Sequence, residues 1–377
     1  MEKYKIGILG CGKVAHLHAK AILGIPEAEL TAVWSRSKET AEKFAAQYGV
    51  KAYQSINKMI TENQIDLVVV CTPHPFHKEP TIEAAQAGAN ILVEKPLAST
   101  LIDCDEMISV CRENRVKLGV ISQRRWYAPA KRVKQAIEDG KIGKPALGTI
   151  SILGWRDQTY YDADAWRGTW QMEGGGVLVN QAPHQLDILL WMMGDIDEVY
   201  GIWKNLNHPY IEVEDTAVAI VRFKNGGIGN ILVSNSQKPG IHGKVHIHGE
   251  NGASVGIQTD GGAMFIAGSS GVLEPPVNDL WTVPGEEHLL QQWKQEDSEF
   301  FQQIDATTFY MKEQIEDFIL ALKENREPLV TGGQGRKTVE LFTAIYRSAR
   351  DGKPVRFPLA ADDLQNDMDG RLHSVKY

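Results

Sequence analysis

Across residues 1–122, short apolar runs alternate with segments of helical period, and this alternation limits the possible folds more than any other feature. Lys5–Leu9, Leu30–Trp34, Leu67–Cys71, Ile91–Glu94 and Leu118–Ile121 read as strands. Between them, Lys13–Leu23, Glu39–Tyr48, Ile56–Thr61, His77–Ala87 and Ile102–Asn114 carry apolar residues three and four apart, the spacing of a helix with one buried face. Strand, helix, strand at this rhythm predicts a doubly wound parallel sheet with helices on both faces. The run Val68-Val69-Val70 suits a strand covered on both sides.

The pattern changes from Ala146 onward. Ala146–Gly154, Glu198–Trp203, Thr216–Phe223, Gly226–Ser234 and Lys244–Gly249 read as strands joined by turns such as Lys224-Asn225-Gly226-Gly227. Most lack a helical crossover between them, which predicts a largely antiparallel sheet. Two helices follow, around Tyr310–Leu322 and Arg336–Ala349. The expected organisation is an α/β chain. A dinucleotide-binding domain covers 1–122, and an α+β domain with an open, mostly antiparallel sheet covers 123–360. Residues 361–377 are polar and weakly periodic and read as a tail.

Composition excludes several partners. Forty Lys and Arg against 48 Asp and Glu leave a net charge of −8, with no basic surplus to neutralise nucleic acid or an anionic membrane. The longest strictly apolar run, Ile188–Met193, is far below the ~18 residues of a membrane span. Met1-Glu2-Lys3-Tyr4 leads straight into an apolar strand, so no signal peptide is expected. Cys11, Cys71, Cys104 and Cys111 show no paired metal-type spacing and are too sparse for a disulfide framework. A soluble, reduced, cytoplasmic protein is expected.

Gly10-Cys11-Gly12-Lys13-Val14-Ala15 lies between the first strand and the first helix. Gly10 permits a tight turn, Gly12 lets a pyrophosphate approach the backbone at a helix N-terminus, and Ala15 needs only to be small. In this setting the loop predicts a Rossmann-type cofactor site. The second strand ends Val33-Trp34-Ser35-Arg36-Ser37, with no acid to hold the ribose hydroxyls of NAD. Arg36 pairing with a 2′-phosphate, assisted by Ser35, leans the expectation toward NADP. A solvated loop charge and an arginine stacked on adenine are the alternatives.

Combined with Glu94-Lys95-Pro96, the glycine loop resembles that of the glucose–fructose oxidoreductase / inositol dehydrogenase / rhizopine-catabolism (Gfo/Idh/MocA) family. The likeness extends through Cys71-Thr72-Pro73-His74, Gly174-Gly175-Gly176 and Asn180-x-x-x-His184-x-x-Asp187, over residues 1 to 358. The resemblance implies a Rossmann domain followed by a domain with an open, mostly antiparallel sheet. It further implies NAD(P)-dependent oxidation or reduction of a hydroxyl on a sugar or cyclic polyol, and a dimer or tetramer built through that sheet. Cofactor contacts are implied for Lys13, Val14, Thr72, Pro73, His74, His77, Glu94, Lys95, Gln123, Trp166 and Arg167, beside Gly10, Gly12, Ser35 and Arg36.

Lys95 stands at the carboxyl end of a parallel strand, where such sheets bind ligands. Hydride removal from a carbinol needs a base for the hydroxyl proton, and a lysine whose pKa is depressed by burial and a neighbouring cation can serve. His184 is the second catalytic candidate. If Gly176–Met193 is one helix, Asn180, His184 and Asp187 share a face; Pro183 as the start of a new helix would break that relation. Family sugar dehydrogenases often carry aspartate at the position of Asn180, and an asparagine relays no proton, which places more acid–base work on Lys95 and His184. Arg125 and Tyr127 in Gln123-Arg124-Arg125-Trp126-Tyr127, Trp155 and Arg156 in Trp155-Arg156-Asp157, the pair Tyr160-Tyr161, and Trp166-Arg167 mix hydrogen-bonding and aromatic groups. That mixture suits a polyhydroxylated ring.

No metal is expected, because neither a cysteine nor an acidic cluster completes a set with His242, His246 and His248. The histidines His16 and His18 beside the glycine loop are given no role. The leading reading is a sugar or cyclitol dehydrogenase, with the 3-hydroxyl of a pyranoside or anhydrosugar as the refinement. A glycoside hydrolase that works by transient oxidation and a non-enzymatic NAD(P)-sensing regulator are the alternatives.

Overall fold

A computed structural model describes residues 3–259 and 274–372, the side chains of Pro239 and His242 excepted; residues 373–377 of the expected tail lie outside the described set. The chain divides into two compact units, Met1–Gln123 with Asp305–Arg336, and Arg124–Ile304 with Lys337–Tyr377.

The first unit opens with β1 (Tyr4–Leu9), α1 (Lys13–Leu23), β2 (Ala28–Trp34), α2 (Lys38–Tyr48), β3 (Lys51–Tyr53) and α3 (Ile56–Asn63). It continues through β4 (Leu67–Val70), α4 (Lys78–Gln86), β5 (Asn90–Val93), α5 (Leu101–Glu113) and β6 (Leu118–Val120). The six strands pair in parallel in the order β3-β2-β1-β4-β5-β6. The order reverses between β1 and β4, and ligands bind beyond the strand ends at such a switch point. Helices α2, α3 and α5 begin on Ser37, Ser55 and Thr100, whose side-chain oxygens accept the backbone N–H of Thr40, Lys58 and Asp103. Helix α1 begins on Gly12 with no side-chain cap.

The second unit runs through α6 (Ala128–Glu138), β7 (Pro145–Trp155), α7 (Gln158–Asp162), α8 (Val177–Asn180), α9 (Pro183–Met193), β8 (Ile196–Lys204), β9 (Thr216–Phe223), β10 (Ile228–Ser234), β11 (Ser236–Gly249), β12 (Ser254–Gln258) and α10 (Leu289–Phe301). Two further helices, α11 (Phe309–Lys323) and α12 (Gly332–Asp351), precede the short β13 (Val355–Arg356). Its seven-stranded sheet has the order β12-β11-β7-β10-β9-β8-β13, and only the β7–β10 pair is parallel. Strand β9 alternates strictly: Ala217, Ala219, Val221 and Phe223 are buried, while Val218, Ile220 and Arg222 point outward. Register places Tyr200 opposite Ile220 and Ile202 opposite Val218, so the outward face carries contiguous exposed apolar side chains.

Two boundaries differ from the sequence reading. Helix α11 was expected in the second domain but belongs to the first unit, where Met311, Ile315, Phe318 and Ile319 join the core of Ile6, Ile8, Ile22 and Leu67. Gln314 closes the free edge of β6: its Nε2 donates to Val120 O at 2.7 Å and its Oε1 accepts Ser122 N–H at 2.8 Å. A covered edge offers no template for further strand pairing. The acidic run after Ala361 also packs, because Arg347 and Arg350 of α12 pair with Asp369 (2.7 Å) and Asp363 (2.5 Å), and Arg371 is buried against Tyr346.

Candidate active site

In the first unit the glycine loop is built by exclusion. Gly10 has φ +99°, and a Cβ there would stand 2.8 Å from Thr72 N, so only glycine fits. At Gly12 the same atom would meet nothing within 4 Å. This open space faces the start of α1, where no side chain caps the helix and no acid stands in the first turn. The N–H groups of a helix's first turn and the positive end of its dipole attract an anion, so the loop fits a dinucleotide pyrophosphate. Lys13 is exposed, Val14 half-buried, and Ala15 packs in the core.

At the end of β2, the Ser35 carbonyl accepts Gln54 Nε2–H at 2.8 Å, and the Arg36 guanidinium lies 5.0 Å from the centre of the Phe76 ring. Beyond β4, Thr72 Oγ1 donates to Phe76 O, which closes the turn containing Pro73 and the buried His74. His77 was expected at the cofactor. Instead its ring is buried, with Nε2 2.8 Å from Thr72 O and Nδ1 3.0 Å from Pro96 O. It therefore ties the loop after β4 to the loop after β5. Burial moves its pKa down, against the pull of these carbonyls.

Glu94 and Lys95 follow β5. Glu94 is buried: Oε1 lies 2.7 Å from His18 Nε2 on α1, and Oε2 accepts the Lys95 backbone N–H at 3.1 Å. Burial alone would raise its carboxyl, but the His18 hydrogen bond and the charges of His18 and Lys95 outweigh this and leave it below the usual value. Lys95 itself is half-buried. Gln123 ends this unit in a single turn that runs to Trp126.

In the second unit Gly176–Met193 is two helices and not one, the alternative in which Pro183 starts a new helix. Helix α8 stops at Asn180, Pro183 opens α9, and Ala182 N–H bonds back five residues to Val177 O. Asn180 and Asp187 consequently serve different surroundings. Asp187 takes a bidentate pair from Arg125, at 2.8 and 2.5 Å, and the guanidinium also lies over Trp191. Arg125, expected to bind substrate, is thereby an anchor of α9. Tyr127 is buried at the start of α6.

Asn180 donates through Nδ2 to Glu173 Oε1 at 2.5 Å and to the Tyr160 hydroxyl at 3.3 Å. His184 is buried in the first turn of α9. Arg167 donates to Tyr160 O at 2.7 Å, pairs with Asp164, and lies over the Tyr160 ring, with Trp166 alongside. Arg156 donates to Trp155 O and lies over the same Tyr160 ring, while Lys238 lies over Trp155.

Glu173, Glu214, His208 and Asp215 were missed. Glu214 accepts the N–H groups of Gly176 and Leu178, which positions α8, and its backbone passes so close to Gly176 that a Cβ there would overlap its carbonyl. Burial pushes the carboxyls of Glu173 and Glu214 up to about 7, although each accepts two N–H groups that pull the other way. His208 bridges Asp215 and Arg156 O at 2.7 and 2.6 Å, under the Trp155 segment. The available signal was an acid immediately before Gly174-Gly175-Gly176 and the pair Glu214-Asp215 entering β9.

Among the described residues no group of three or more His, Cys, Asp or Glu could hold a metal, and no helix is long and apolar enough to cross a membrane. Residues 4–122 match the model of an oxidoreductase family with an NAD-binding Rossmann fold, and residues 130–255 match the GFO/IDH/MocA C-terminal domain. The chain is 27% identical to myo-inositol 2-dehydrogenase of Thermotoga maritima over 357 residues, covering 93% of this chain and 98% of that one. It is similar to the WlbA dehydrogenase of Bordetella pertussis, solved with NADH and UDP-GlcNAcA, at 31% identity and a TM-score of 0.83 over 95% of this chain and 99% of that one. The Chromobacterium violaceum WlbA dehydrogenase, in complex with the same two ligands, gives 27% identity and a TM-score of 0.80 over 96% and 97%. With both domains matched, the chain belongs to the GFO/IDH/MocA family of NAD-binding oxidoreductases.

Proposed function

We propose that this protein oxidises or reduces a secondary hydroxyl on a pyranose or cyclic polyol, with the 3-position of a pyranoside or anhydrosugar as the reacting carbon. The observation that carries this reading is the uncapped start of α1 at Gly12, in a unit whose Glu94 also grips the Lys95 backbone. Similarity to a myo-inositol 2-dehydrogenase and to a dehydrogenase solved with NADH and UDP-GlcNAcA supports a polyhydroxylated ring as substrate.

In this reading Gly10, Gly12, Lys13 and Val14 hold the pyrophosphate, Ser35 and Arg36 the adenosine end, and Thr72, Pro73 and His74 the segment beyond. A bound nicotinamide would supply the acceptor, or in reverse the donor, for the hydride of the carbinol carbon. Lys95 accepts the hydroxyl proton and restores it in the reverse direction. His184 and Asn180 hydrogen-bond substrate hydroxyls, while Arg167, Arg156, Tyr127 and Trp155 shape the sugar pocket. For the cofactor we keep the lean to NADP through Arg36, and Arg36→Glu tests it: NADP⁺ affinity falls at least about tenfold with NAD⁺ affinity spared, whereas equal effects on both mean that Arg36 stacks on adenine.

The exposed face of β8, β9 and β10 supports a homo-oligomer built through the sheet. The four cysteines are free and buried, as suits a reducing compartment, and we assign the protein to the cytoplasm.

The test is absorbance at 340 nm with NAD⁺ or NADP⁺ and a panel of UDP-GlcNAcA, simple pyranosides, anhydrosugars and inositols. A rise that Lys95→Ala abolishes supports the reading. Release of sugar from a glycoside without reduced cofactor would replace it with the redox-assisted hydrolase. No change of either kind, with NAD(P) still bound, would leave the regulator.

A further inference from the structure

Asn180 has two amide hydrogens, and the structure places an acceptor on each: Glu173 Oε1 at 2.5 Å and the Tyr160 hydroxyl at 3.3 Å. The surrounding amides share this direction. Asn235 Nδ2 donates to Gln181 Oε1 at 2.9 Å, and Gln181 Nε2 donates to the same Tyr160 hydroxyl at 3.2 Å. Glu173 closes the network as a pure acceptor, its Oε2 taking Gly168 N–H at 2.6 Å, and it is 1% exposed. An amide whose NH₂ is held this way turns its carbonyl oxygen away from Glu173. Tyr160 alone would not decide the orientation, because a hydroxyl accepts from an NH₂ and donates to a carbonyl equally well.

We propose that Glu173 is the positioning residue of Asn180: its carboxylate selects which end of the Asn180 amide is presented for hydrogen bonding, and it requires an amide, not a carboxylate, at position 180. This rests on the substrate-binding role given to Asn180 above. An aspartate there would set two buried carboxyl groups in contact, and one would have to keep a proton.

The grip varies with pH. Glu173 faces Gly168 N–H, the Asn180 amide, the Arg167 guanidinium, the Tyr160 and Tyr161 hydroxyls and, further off, Glu214 and Tyr346. Burial raises its carboxyl to about 7, against the two N–H donors and Arg167. Above that value the ionised carboxylate accepts from both donors at full strength; below it a proton occupies one oxygen and the orienting force on Asn180 weakens.

The experiment uses the full chain labelled with ¹⁵N-asparagine, the Asn180 side-chain signals being identified by their loss in Asn180→Asp. In the wild type these signals shift with a midpoint near neutrality, and in Glu173→Gln they do not. In parallel, Asn180→Asp lowers kcat/KM on the substrate found at 340 nm by at least tenfold, and the double variant Glu173→Gln/Asn180→Asp recovers most of that loss. Asn180 signals that stay fixed through neutrality in the wild type, or that titrate unchanged in Glu173→Gln, overturn the proposal, as does a double variant no better than Asn180→Asp. The wild-type titration decides the matter even if a variant fails to fold. If no panel substrate turns over, the dehydrogenase reading fails and the titration still judges the pair.

Discussion

His18 Nε2 lies 2.7 Å from Glu94 Oε1, both residues buried, and the other oxygen of Glu94 receives the Lys95 backbone N–H. One side chain of α1, the helix that begins at the glycine loop, thus reaches the loop that carries Lys95. His18→Leu leaves a buried carboxylate short of a hydrogen bond, a loss of about 1–3 kcal/mol. The pH dependence has a definite sign. The Glu94 carboxyl lies below its usual value in the folded protein, so its contribution is present above the unfolded pKa and fades as pH falls through the folded one. Urea denaturation at neutral and acid pH should show the cost of His18→Leu shrinking in acid; a cost independent of pH would mean that packing alone is lost.

Gly10 and Gly12 separate fold from cofactor binding. Gly10→Ala forces a Cβ against Thr72 N at a left-handed backbone position and costs about 1–3 kcal/mol. Gly12→Ala puts its methyl into open space, so stability should change by no more than about 0.5 kcal/mol. Calorimetric titration with NAD⁺ and NADP⁺ should show Gly12→Ala binding the preferred cofactor at least about tenfold more weakly, because the methyl occupies the pyrophosphate's approach.

Arg125 distinguishes an anchor from a ligand. Arg125→Ala strands Asp187 in the interior and should cost about 3–5 kcal/mol in chemical denaturation. A substrate contact would instead raise KM and leave stability alone.

The outward sheet face predicts an assembly state. Ile220 is 62% exposed and Ile202 53%, beside Val218 and Tyr200. Ile220→Lys places a charge in that apolar patch and should reduce the mass measured by light scattering to that of a smaller species. An unchanged mass would assign the patch to another partner or to none.

The sequence alone determined the parallel half, the glycine loop and the strand-end lysine. Each is a local pattern: short apolar runs alternating with segments whose apolar residues lie three and four apart, a turn only glycine allows, a residue following a buried strand. The alternating strands of the second sheet were legible for the same reason, whereas Asn180 and His184 stood out through the family resemblance. Only tertiary structure decided what each polar group touches. Helix α11 has an apolar face that any core would accept, and its packing on α1 and β6 is a long-range fact. Arg125 and Asp187 are 62 positions apart, His18 and Glu94 are 76 apart, and Glu214 reaches back 38 to Gly176. A buried charge must find its partner wherever the fold brings one. No spacing rule carries that information, so the candidate residues could be named from the sequence while the acids and histidines that support them could not.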